Sequence, residues 1–127
     1  MGKRILVIDD ELDIRDVVCL CLEEFGHWET GSAGSGREGL AMARQDMWDA
    51  ILLDVSMPDM DGFAVFENLQ ASTMTQPVPV ILLTAKVFDS ELKPFEARGI
   101  AGVIPKPFDP VTVWRKVAEI LEWPVNA

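Results

Sequence analysis

Short apolar runs and longer segments of helical period alternate along this chain. The runs "RILVID" (4–9), "AILLD" (50–54) and "VPVILLT" (78–84) are nearly continuous in large apolar residues, the pattern of strands buried on both faces. "GVIP" (102–105) is a shorter run of the same kind, and "HWETG" (27–31) fits a short second strand. Between them, Ile14, Val17, Val18, Cys21 and Phe25 recur at the spacing of one buried helix stripe. Val113, Trp114, Val117, Ala118 and Leu121 repeat that period near the end of the chain, behind Asp109 at the N-cap and Pro110 at the first helical position. Segments 36–45 and 63–70 fit two shorter helices. "FDSELKPFEARG" offers Asp89 or Ser90 as a cap, but Pro94 lacks the backbone donor a helix interior requires. That segment is expected to form a helix that is short, kinked or displaced at its start.

Five strands alternating with five helices specify an α/β class, a doubly wound parallel sheet with helices on both faces. The strand order expected for this count is 2-1-3-4-5, which places ligands at the carboxyl ends of the first and third strands. No linker or shift in composition marks a second unit, so residues 1–127 are expected to be a single domain without an output module.

Charge and composition narrow the partners. Formal charge is −10, from 21 acids against 11 lysines and arginines, which argues against nucleic acid and anionic membrane. Cys19 and Cys21 lie two apart in a helical pattern and point to different sides, so a disulfide framework is not expected. The opening "MGKRILVIDD" has too short an apolar run for a signal peptide, Leu6 stands where a myristoylation signal wants Ser or Thr, and no stretch reaches membrane-spanning length. A cytoplasmic protein is expected. His27, the only histidine, opens the weak second strand and reads as a surface or edge residue.

Placed on this frame, the polar residues at the strand ends converge. The first strand ends in Asp9-Asp10, the third in Asp54, the fourth in Thr84, and the exit of the fifth carries Lys106. Singly, each has a simple role as a cap, a turn residue or a surface lysine. Jointly they gather three carboxylates, a hydroxyl and an ammonium on one rim of the sheet. Two carboxylates ~4 Å apart repel by roughly 4 kcal/mol at an effective dielectric near 20, so such a cluster takes up protons or a cation. Oxygen-only donors in a partly hydrated site suit Mg²⁺. With its charge offset, Asp54 can act as a nucleophile toward phosphorus and form an acyl phosphate. Mg²⁺, the Lys106 ammonium and the Thr84 hydroxyl are three groups suited to three equatorial phosphoryl oxygens. The neighbouring "PDMDG" (58–62) fails as a calcium loop because Phe63 falls at the fifth position of the D-x-D-x-D-G spacing, where an acid is needed, and Asp61 reads instead as an N-cap.

The stretches "ILVIDDE", "ILLDVSMPDMDGF", "VILLTAK" and "GVIPKPF" together resemble the receiver domain of bacterial two-component response regulators, and the resemblance covers essentially the whole chain. It implies a flavodoxin-like (βα)5 sandwich with Asp54 as phosphoacceptor. It also implies Asp10 as a direct Mg²⁺ ligand, Asp9 as an acid holding the metal through water, and Ser56 as a ligand through its backbone carbonyl. Thr84 is similar to the family's switch hydroxyl, and Lys106 to the lysine that pairs with the phosphoryl group, with a cis bond to Pro107. Pro58 and Gly62 would form the turn that supports the acceptor. Side chains at Ser56 and Lys86 stand where the family tunes phosphoryl lifetime. One departure is Val103, where the family usually carries Tyr or Phe; coupling through an aromatic rotamer there is impossible. Of Phe88, Phe108 and Trp114 as substitutes, packing roles are the simpler reading.

The function this implies is a phosphorylatable receiver. It would be charged by a sensor histidine kinase or a histidine phosphotransfer protein and would signal through contacts with a downstream protein, as a monomer or weak dimer. It would not be a turnover enzyme, since it would catalyse only its own modification and slow hydrolysis. Two alternatives are a phosphorylation-independent receiver-like interaction module and a Mg²⁺-dependent aspartyl phosphatase. The second wants an Asp-x-Asp pair closing its nucleophile strand. Here Asp9-Asp10-Glu11 and Asp54-Val55-Ser56 both lack it.

Overall fold

Strands form where apolar residues run without interruption, because only a segment covered on both faces can bury every side chain. In the computed structural model, which describes residues 3–85 and 89–124, these are β1 (Arg4–Ile8), β3 (Ala50–Asp54) and β4 (Val80–Thr84), with β3 and β4 buried at every position. Two flanking strands are shorter of apolar residues, β2 (Glu29–Ala33) and β5 (Gly102–Pro105). All neighbours pair in parallel, in the order β2-β1-β3-β4-β5, the expected doubly wound sheet.

Five helices cover the two faces: α1 (Leu12–Gly26), α2 (Gly36–Gln45), α3 (Gly62–Ala71), α4 (Asp89–Ala97) and α5 (Pro110–Leu121). One core layer joins Leu6, Ile8, Ile51, Leu53 and Leu82 of the sheet to α2, α3 and α4, with Phe66 at its centre. The opposite layer joins Ile5, Val7, Leu52, Ile81 and Leu83 to α1 and α5 through Val18, Leu22, Val113 and Val117. Alternate residues of each strand thus go to opposite layers, and each fully buried Leu or Ile contributes about 1.5–3 kcal/mol.

Local chemistry sets the helix starts. Asp109 accepts the Val111 N–H at 3.1 Å with Pro110 behind it, and Asp61 accepts the Ala64 N–H at 2.9 Å. Helix α4 is the shortest of the five, nine residues with Pro94 inside it, and it is held through Phe95, whose ring stands edge-on to Phe63 at 5.2 Å.

Two sequence expectations need correction. The second strand begins at Glu29 rather than His27, because His27 takes the left-handed conformation (φ 60°) that ends α1, and Trp28 reaches back to the Leu22 carbonyl at 3.4 Å. The buried stripe of α1 is also rotated: Leu22 joins Val18 and Cys21, while Val17 and Phe25 are 43% and 46% exposed. Phe25 turns toward α5 and stacks on Trp114 at 6.5 Å instead of facing the sheet. Both cysteines are free, and burial pushes both thiols above their ordinary range, which makes them packing groups rather than nucleophiles. No described helix is long and apolar enough to cross a membrane.

Candidate functional site

Register brings the acids together. Ile8 lies opposite Leu53 in the β1–β3 pair, so the next residue of each strand, Asp9 and Asp54, emerges at the same level on adjacent parallel strands. Such strands are only about 4.8 Å apart. Asp54 is the last residue of β3, and Thr84 ends β4 opposite Pro105, one residue before Lys106. Four of the residues picked out in the sequence therefore share one rim: Asp9, Asp54, Thr84 and Lys106.

Lys106 lies between the carboxylates. Its Nζ is 3.1 Å from Asp9 Oδ2, 3.3 Å from Glu11 Oε1 and 3.6 Å from Asp54 Oδ1. Its backbone N–H donates to the Thr84 carbonyl at 2.8 Å, which fixes the base of the side chain to β4, and the Lys106–Pro107 bond is cis. Burial alone would lower the ammonium's pKa, but Asp54 and Asp9 outweigh it and the group is held above its ordinary value. Lys106 is therefore charged throughout the neutral range.

Asp54 is the perturbed carboxyl. It is almost fully buried, and desolvation pushes its pKa up from 3.8 to about 6. The Ser56 N–H, donating to Asp54 Oδ1 at 3.1 Å, and Lys106 both pull it down, while Asp9 and a hydrogen bond with Asp10 push it up. Negative charge at this point is thus only partly balanced by the protein. Asp9 is fully buried, its Oδ1 accepts the Glu11 N–H at 2.9 Å, and its carbonyl accepts Arg15 Nη1 at 2.8 Å. Asp10 is exposed, its carboxyl turned to Asp54 from the solvent side.

Glu11 is the member sequence reasoning missed. It occupies the N-cap of α1, yet its side chain caps nothing there and turns to Lys106. Carboxylate oxygens of Asp9, Glu11 and Asp54 all lie within 4.8 Å of one another. That donor set is oxygen only, anionic and open on one side, which fits a hard divalent cation. No periodicity marks Glu11, because it stands between a strand end and a helix start.

The loop after Asp54 is built for close approach. A Cβ on Gly62 would lie 2.4 Å from the Val55 Cα, so only glycine lets α3 start against the strand end, and the Gly62 N–H donates to the Val55 carbonyl at 3.2 Å. Asp59 accepts the Gly36 and Arg37 N–H groups at 3.0 and 3.2 Å, which ties the loop after Asp54 to the first turn of α2 and lowers its own pKa. Ser56 is exposed at the mouth of the site. On the other side of Thr84, a cavity of 320 Å³ opens among Gly62, Phe63, Leu92 and Phe95. Val103 is half-buried and packs into the core layer shared with α3 and α4, while Phe108 and Trp114 pack into the opposite layer. Lys86 and Phe88 lie outside the described residues.

Comparison with known proteins agrees with the fold that carries this site. The family described as response regulator receiver domain matches residues 5–118. The response regulator PleD of Caulobacter vibrioides (strain NA1000 / CB15N) is 36% identical over 121 residues, which are 94% of this chain but only 26% of PleD. Protein PilH of Pseudomonas aeruginosa is 30% identical over 118 residues, 93% of this chain and 97% of PilH. Among solved structures, the chemotaxis response regulator CheY4 of Vibrio cholerae superposes with a TM-score of 0.88 at 29% identity, covering 94% of this chain and 99% of that one.

Proposed function

The chain belongs to the response regulator receiver domain family, and on that premise we propose that Asp54 is its phosphoacceptor. The observation that carries the proposal is the placement of Asp54: a buried carboxyl raised to about 6, at the sheet's rim, within 3.6 Å of the Lys106 ammonium. A carboxylate oxygen of Asp54 attacks phosphorus, the bond from phosphorus to the donor's nitrogen or oxygen breaks, and the leaving group departs with that electron pair and takes a proton. Lys106, already positioned by Thr84, neutralises one equatorial oxygen, and the Thr84 hydroxyl is suited to a second.

Asp9, Asp10 and Asp54, with the Ser56 carbonyl, are the proposed Mg²⁺ ligands, and Glu11 adds to the local anionic charge. Bound there, Mg²⁺ supplies charge neutralisation for the oxygens of the transferring group. The donor is proposed to be a sensor histidine kinase or a histidine phosphotransfer protein, and the output a contact with a downstream protein. The absence of an Asp-x-Asp pair favours this over a turnover phosphatase, and a complete set of rim residues favours it over a module that ignores phosphate. A cytoplasmic setting fits all of these partners.

The test is incubation with acetyl phosphate and Mg²⁺ followed by intact mass measurement. One phosphoryl adduct is expected on the wild type, and none with chelator or on Asp54→Ala. Sustained release of inorganic phosphate from small esters would favour the phosphatase instead, and no adduct on the wild type would favour the phosphate-independent module.

A further inference from the structure

The far end of the sheet carries a second feature that the phosphorylation chemistry does not use. Beside the starts of β3 and β4 lies a cavity of 550 Å³. The five residues of β3 separate it from the Asp54 rim by roughly 17 Å. Trp48 forms its floor, Pro77 and Pro79 stiffen one wall, and Met47 and Met74 stand at its mouth. Met47 is 81% exposed, the highest value among the described large hydrophobic residues, and Met74 is 50% exposed.

Floor and mouth differ in rigidity. The Trp48 indole N–H donates to the Met42 carbonyl at 3.0 Å, and the ring is 9% exposed, so it is fixed. The methionines are unbranched and polarisable, the kind of side chain that re-packs around an incoming group. A fixed aromatic floor below adaptable thioethers makes a receptor for an apolar anchor, and a volume of this size is in the usual range for a bound group.

Charge at the rim says what must flank that anchor. Asp46 and Asp49 both line the cavity. The Arg4 guanidinium reaches only the first of them: its Nη1 is 3.4 Å from Asp46 and its Nε 4.0 Å from Glu29, while Asp49 accepts the Arg4 backbone N–H at 2.8 Å. Two carboxylates thus flank one guanidinium and a third, Asp49, meets only a neutral backbone amide of Arg4, leaving surplus negative charge on a chain that is already −10. The Arg4 guanidinium also rests 4.7 Å from the Trp48 ring centre, so the structure already contains, once, a cation held between this aromatic face and the carboxylates of Asp46 and Glu29.

We propose that this cavity docks a segment of a partner protein that presents an aromatic or aliphatic anchor flanked by Arg or Lys. The anchor fills the space over Trp48 between Met47 and Met74, and the flanking cations meet Asp46 and Asp49. A second copy of this chain is disfavoured as occupant, because copies carrying this net charge repel. The site is remote from Asp54, so a partner held here stays bound through phosphorylation and dephosphorylation.

Methyl NMR of the full chain labelled at the methionine methyls reads this directly, each signal assigned by Met→Leu substitution. The probe is a short blocked peptide with a central Phe between pairs of Arg, compared with the same peptide carrying Glu. Saturable shifts at Met47 and Met74 with the arginine peptide, and none at Met57 and Met60 beside the Asp54 loop, are expected. The glutamate peptide should do nothing. Asp46→Asn should weaken binding about threefold, the scale of one exposed ion pair, and Met47→Lys, at an exposed position, should abolish it while acetyl phosphate labelling persists. No shift with the arginine peptide, equal shifts with both peptides, or concentration-dependent broadening without peptide would each overturn the proposal.

Discussion

Asp54 is expected to cost the fold stability in the absence of metal, and Asp54→Asn isolates that cost. Desolvation moves the carboxyl from 3.8 to about 6 in the folded chain. The cost of charging it is therefore about 3 kcal/mol greater folded than unfolded, at 1.36 kcal/mol per pKa unit. The sign follows from which state holds the proton. Below about pH 4 the carboxyl is neutral in both states and the two proteins differ little. Between about pH 4 and pH 6 the unfolded chain ionises first, so wild-type stability falls relative to the variant; above about pH 7 the deficit is complete. Asparagine has nearly the same shape and never ionises. Urea denaturation in chelator at a series of pH values measures the difference. Asp54→Asn should be the more stable by about 3 kcal/mol near pH 8, with roughly half of that left near pH 5. A difference that is flat with pH, or a variant weaker than wild type near pH 8, would refute the assignment of a desolvated, under-neutralised carboxyl.

Other expectations follow from the same cluster. Mg²⁺ at tenfold its dissociation constant should stabilise the wild type by about 1.4 kcal/mol, or roughly 5 °C in melting temperature; an unchanged melt would count against a metal site. Glu11→Gln should leave stability within about 0.5 kcal/mol, since Glu11 is largely exposed, but should lower Mg²⁺ affinity several-fold by calorimetry; equal affinities would mean that Glu11 serves only Lys106. Gly62→Ala forces a Cβ against the Val55 backbone and should destabilise by about 1–3 kcal/mol, with weaker acetyl phosphate labelling. A variant as stable as wild type would show that the loop can relax without disturbing Asp54.

What could be read from the sequence divides along physical lines. Strands β3 and β5 match their apolar runs residue for residue, and α2 its expected span, because apolar runs and local capping are written in adjacent residues. Asp109 with Pro110 fixes the start of α5 for the same reason. Tertiary choices were less legible. Whether Val17 or Leu22 completes the buried stripe of α1 depends on where α5 lies, and Phe25 leaves the sheet because Trp114 is there to stack on. His27 ends a helix rather than opening a strand, in a left-handed turn that histidine adopts more often than most residues but too seldom to mark it in the sequence. At the site, Asp9, Asp54, Thr84 and Lys106 were legible from position alone, each at or just past a strand end. Glu11 was not, since its approach to Lys106 comes from a side chain that leaves the α1 cap unmade.

On the proposed chemistry, Asp54 itself carries phosphate as an acyl phosphate. Borohydride reduces an acyl phosphate to an alcohol and leaves phosphoesters of Ser and Thr intact, so it marks the bond as well as the residue. After treatment with acetyl phosphate and Mg²⁺, reduction and peptide mapping, homoserine is predicted at position 54 and nowhere else. Reduced label at Asp9 or Asp10, or phosphate that survives borohydride on Ser56 or Thr84, would contradict it.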